Sequence, residues 1–130
     1  MGAWSHTSFG NDDAGDFLYE VEASGMDAVT TALEAIEQTP ADGYIEAPSA
    51  WSALAAAELL AAANGKPPED FPEEARAVLA QIKSDAALRA RAAVAVQRVL
   101  AASELKELWE ESDSFADWAA DVTHLIGRLK

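Results

Sequence analysis

Between Pro48 and Ala63 the chain reads Pro-Ser-Ala-Trp-Ser-Ala-Leu-Ala-Ala-Ala-Glu-Leu-Leu-Ala-Ala-Ala, with one charge, Glu58. Pro48 suits the first turn of a helix, and Asn64-Gly65 supplies a stop. Wound as a helix, Trp51, Leu54, Leu59, Leu60 and the alanines leave no polar side. A helix that is apolar all round must be enclosed by other elements. The segment is shorter than a membrane span and Glu58 interrupts it. The remainder of the chain is therefore predicted to wrap it.

The wrapping elements read as helices. Asn11 or Asp12 caps a first helix, with Ala14, Phe17, Leu18 and Val21 on one side, which Ser24-Gly25 ends. Gly15, inside that helix, predicts a close backbone approach. A second helix from Met26 to Gln38 turns Met26, Val29, Leu33 and Ile36 inward. Pro40 to Pro48 is a loop anchored by Tyr44 and Ile45. Asp70-x-x-Glu73 resembles a capping box, followed by Phe71, Ala75, Val78, Leu79 and Ile82 at helical spacing. Ser84 is placed as the cap of a helix running to about Ala102, and Ser103 opens a shorter piece carrying Leu105, Leu108 and Trp109, either continuous with that helix or separate from it. Ser114-x-x-Asp117 starts the last helix, with Phe115, Trp118, Val122, Leu125, Ile126 and Leu129 inward.

No stretch alternates apolar and polar residues as a strand does. Alanine fills 30 of 130 positions, which raises helix propensity and lets helices approach closely. The expectation is an all-α, compact single-domain bundle of five to seven helices over residues 11–130. Residues 1–10 are expected to form an extended strap, because Trp4 and Phe9 are out of place in a free tail.

Charge is unevenly spread. Residues 1–65 hold eleven Asp and Glu and no base, whereas residues 66–130 hold twelve acids and all nine Lys and Arg, giving −14 overall. This balance disfavours nucleic acid and anionic membranes and favours basic partners or cations. The chain has no cysteine, which removes disulfides and thiolate metal sites and fits a reducing compartment. The N-terminus lacks the basic and apolar regions of a secretory signal, so a cytoplasmic address is expected. Oligomeric state is not readable from these features.

Two groups of residues stand out. Asn11, Asp12, Asp13, Asp16 and Glu20 gather carboxylates on one side of the first helix. Capping and the helix dipole account for the first three, but Asp16 and Glu20 sit four apart and repel each other. The group reads either as a solvated helix start or as a face for a basic protein or a hard cation. Its spacing lacks the alternating ligands of a Ca²⁺ loop, so no metal is assigned. Glu58 is the second. A lone buried carboxylate is costly without a partner, and Arg91, Arg98, the Trp4 indole N–H or strap N–H groups are the candidates. It reads as a structural tie or, alternatively, as a perturbed catalytic carboxylate.

His6 and the Asp121–His124 pair are weak metal signals, and the pair falls on the solvent side with Asp117 and Arg128. There is no phosphate loop, nucleophile elbow or Cys nucleophile. No catalytic residue and no cofactor is assigned.

The residues Gly2-Ala3-Trp4, Phe9-Gly10-Asn11-Asp12-Asp13 and Asp16-Phe17 resemble the opening of the bacterial proteins grouped as domain of unknown function 4259. Those proteins open with Gly-x-Trp, Phe-x-Asn-Asp and an Asp-aromatic pair. The likeness extends through Glu58 and Glu107-Leu-Trp-Glu110. It departs at Phe17, where the family usually has Trp, and at Ser5, where it usually has Gly. The resemblance implies no activity. Three functions remain open: a non-catalytic module for a basic protein, one form being toxin neutralisation; a cation-binding helical protein; and an enzyme built around Glu58.

Overall fold

The computed structural model describes residues 9, 11–68 and 71–130. The predicted strap, apart from Phe9, lies outside the described residues, as do its Trp4 anchor, His6 and the Asp70 capping box. Seven α-helices follow in order: α1 (Asp12–Ser24), α2 (Met26–Glu37), α3 (Ala47–Ala63), α4 (Glu73–Val78), α5 (Ala86–Ala101), α6 (Glu104–Glu110) and α7 (Phe115–Arg128), with a 3-10 turn, Leu79–Gln81, after α4. Among the described residues there is no strand. The fold is all-α.

α3 is the axis. Every residue from Ala50 to Ala62 except Ser52 is buried, and α3 touches α1, α2, α5, α6 and α7. Its alanines bring the neighbouring backbones close, while Leu54, Leu59, Leu60 and Trp51 fill the larger spaces. Burying each of those leucines is worth about 1.5–3 kcal/mol. Trp51 meets Trp109 of α6 edge to face, ring centres 6.3 Å apart, the arrangement that aromatic quadrupoles favour.

The ends of the helices show how local chemistry sets the frame. The Asn11 side chain accepts the Ala14 N–H at 2.7 Å and starts α1. Gly25 ends it at φ 61 and ψ −133, a conformation that favours glycine, with its N–H on the Val21 carbonyl at 2.7 Å. Gly15 does not mark a close approach: no described atom lies within 4 Å of a Cβ built there.

Several expected ends are corrected. Asp85, not Ser84, caps α5 by accepting the Leu88 N–H at 2.7 Å. Ser84 instead donates to the Leu60 carbonyl at 2.8 Å, a second bond to an oxygen that also accepts the Asn64 N–H at 3.3 Å. α6 is separate from α5, because Ala102 is extended and Ser103 caps the new helix through the Lys106 N–H at 3.0 Å. Ser114 makes no side-chain cap for α7.

Ile45 anchors the loop before α3 and is buried, but Tyr44 is 57% exposed. The Tyr44 hydroxyl donates to the Glu107 carboxylate at 2.9 Å. The Glu104 carboxylate accepts the Ala47 N–H at 2.7 Å, placing negative charge at the N-terminus of α3 where the helix dipole favours it.

Candidate functional site

α1 separates the two groups of residues that matter most. Ala14, Phe17, Leu18 and Val21 are buried, while Asp12, Asp16 and Glu20 are exposed and Asp13 is half-exposed. Asp12, Asp16 and Glu20 recur every fourth residue, so they form one row along the outside of the helix. Asn11 belongs to the same motif but is buried and spent on capping α1.

Three ion pairs occur among the described residues: Arg91–Glu37, Lys106–Glu110 and Arg128–Glu58. None includes an acid of the α1 row. Arg91 holds Glu37 in a two-armed contact at 2.8 and 2.9 Å. The hydrogen bond from Arg91 is the main reason that the Glu37 pKa lies below its ordinary 4.5. Arg98 donates to the carbonyls of Ile36 and Pro40, closing the C-terminal end of α2. Arg89 donates to Ser84, and Arg76 stands over the Phe71 ring at 5.4 Å.

Glu58 is 1% exposed. Neither Arg91 nor Arg98 is its partner; Arg128, from the last turn of α7, reaches it with contacts of 2.6 and 3.2 Å. The same guanidinium donates to the Lys66 carbonyl and, through Nε, to His124 Nδ1 at 3.0 Å. Arg128 therefore does not belong to the solvent side of α7. Its long stem carries the charge back across the helix face to α3, which an angular count at Cα does not register. Such a tie fixes the end of α7 to the middle of the buried helix. Glu58 lines neither of the two clefts described on the surface.

The larger cleft, about 540 Å³, runs beside α1 and is lined by Phe9, Asn11, Gly15, Leu18, Tyr19, Glu22, Pro72, Glu74 and Ala77. Phe9 is half-buried and meets Phe71 edge to face at 5.8 Å. Tyr19 is 73% exposed, the most open of the large apolar side chains among the described residues. The cleft was not foreseen: Gly15, which lines it, was read as the mark of a close backbone approach. Among the described residues no three His, Asp or Glu gather closely enough to hold a metal ion. No helix among them is long and apolar enough to cross a membrane.

A family model described as Domain of unknown function (DUF4259) matches residues 2–121. The chain belongs to this family. Within the DUF4259 match lie α1 with its acidic row, the cleft beside it and Glu58, while Arg128 falls past its end. No curated protein and no solved structure matches the chain.

Proposed function

We propose that the protein is a non-catalytic binding module that presents the outer row of α1 to a basic protein. The observation that carries this reading is the division of charge. Asp12, Asp13, Asp16 and Glu20 enter none of the ion pairs among the described residues. Meanwhile Arg91, Arg98, Lys106 and Arg128 are engaged with Glu37, backbone carbonyls, Glu110 and Glu58. A negative surface that the described residues do not neutralise steers a basic partner and raises its on-rate.

The test is affinity capture from the native host, using the wild-type chain and the variant Asp12→Asn/Asp13→Asn/Asp16→Asn/Glu20→Gln. The wild type should retain a basic protein that moderate salt elutes, and the variant should lose it. Equal retention by both chains would refute the proposal. Asn and Gln keep the shape, and the lost dipole interaction at the start of α1 costs only about 0.3–1 kcal/mol per charge. The variant should therefore remain folded.

A further inference from the structure

We infer that the cleft beside α1 is a seat for the apolar face of a basic amphipathic helix supplied by that partner; this rests on the binding reading above. The floor is apolar: Phe9, Gly15, Leu18, Tyr19, Pro72 and Ala77 line it. Gly15 keeps the floor low, since no described atom stands within 4 Å of where its Cβ would be. Leu18 and Tyr19 lie one turn further along the same side of α1. From Asn11 to Glu22 the groove follows the helix for about 16 Å, roughly three helical turns.

The occupant follows from shape and charge together. An apolar groove beside a helix suits the helix-in-groove mode, in which residues at i, i+4 and i+7 act as anchors. Among the described residues there is no strand edge that an extended peptide could join. The rim is acidic, with Glu22 and Glu74 on the lining and Asp12 and Asp16 exposed next to it. A helix that buries leucine-like residues in the groove therefore sets Lys or Arg beside these carboxylates. A second copy of a chain carrying −14 meets repulsion at that rim instead, as does an anionic membrane.

The test uses a fluorescent Lys/Leu peptide of about three turns, patterned to place all leucines on one face, and a scrambled peptide of identical composition. Binding is followed by anisotropy. The patterned peptide should bind the wild type roughly tenfold more tightly than the scrambled one. Gly15→Leu fills the floor without changing any charge, and it should abolish that preference while melting no lower than wild type. Tyr19→Ser, at an exposed position, should weaken the preference independently. If both peptides bind equally and respond only to neutralising the acids, the groove inference falls and the charge reading stands. If neither binds, both fall. Tighter binding of uncharged N-phenylnaphthylamine than of the peptide, or a dimer that Gly15→Leu disperses, would also overturn the inference by assigning the groove to another occupant.

Discussion

Replacing Arg128 by Ala probes the tie between α7 and the buried helix. Glu58 is 1% exposed and the Arg128 side chain 11%, so both charges have left most of their water. Removing one member of such a pair typically costs about 3–5 kcal/mol, because the other is left buried with fewer partners. The residual exposure of Arg128 lets water reach the site, which points to the lower end, about 3 kcal/mol. Urea denaturation at neutral pH measures this directly, read as a lower midpoint at unchanged slope. The double replacement Glu58→Leu/Arg128→Leu removes both desolvation penalties and should recover most of the loss, since apolar replacement of a buried pair is often neutral. A loss below about 1 kcal/mol for Arg128→Ala, the range of exposed pairs, would refute the reasoning. So would a double variant as unstable as the two singles added.

Other outcomes follow from individual sites. Gly25→Ala should destabilise by about 1–3 kcal/mol, the usual cost of holding a side chain in a sparsely populated backbone region. Gly15→Ala should stabilise by about 0.5–1 kcal/mol, as for glycine in a helix interior; thermal melts compare the two. The Arg91–Glu37 pair is exposed by 43% and 36%, so Arg91→Ala should cost less than about 1 kcal/mol. Because Arg91 lowers the Glu37 pKa, that difference should be fully present above pH 4.5 and vanish as acid protonates Glu37 in the folded state. The Tyr44 pKa is pushed up to about 12, chiefly by its hydrogen bond to Glu107. Ultraviolet titration should show this late ionisation, and Glu107→Gln should bring it back toward 10. Any stability from the Tyr44 contact is present below the ordinary value and lost as pH rises through the higher one.

The parts of the fold that depend on periodicity were legible. The apolar circumference of Pro48–Ala63 predicted α3 and its enclosure, and the inward sets of α1, α2 and α7 followed from helical spacing. Asn11 was readable as a cap because its side chain satisfies a donor three residues along the chain. Glu58 could be recognised as buried and in need of a partner, since it was the one charge in that segment. That Arg128 is a partner was not readable, because it lies 70 residues away and acts through a long side chain. Competition between neighbouring polar residues also escaped. Ser84 and Asp85 are both good caps, and Asp85 takes the role while Ser84 donates to the Leu60 carbonyl of α3. Tyr44 showed the limit of reading aromatics as anchors, since a hydroxyl contact to Glu107 holds it while the ring stays exposed. The cleft needed the packing of α4 against α1, a relation between segments some fifty residues apart, which no local pattern carries.

The most direct measurement of the central claim is the association rate of the captured basic partner as a function of ionic strength. Screening shortens the reach of exposed charges to about 8 Å near physiological salt. For the wild-type chain the rate should therefore fall steeply as salt rises, with dissociation changing much less. For Asp12→Asn/Asp13→Asn/Asp16→Asn/Glu20→Gln the rate should start low and depend only weakly on salt. Identical salt slopes for the two chains would contradict the account, because the α1 row would then contribute nothing to the encounter.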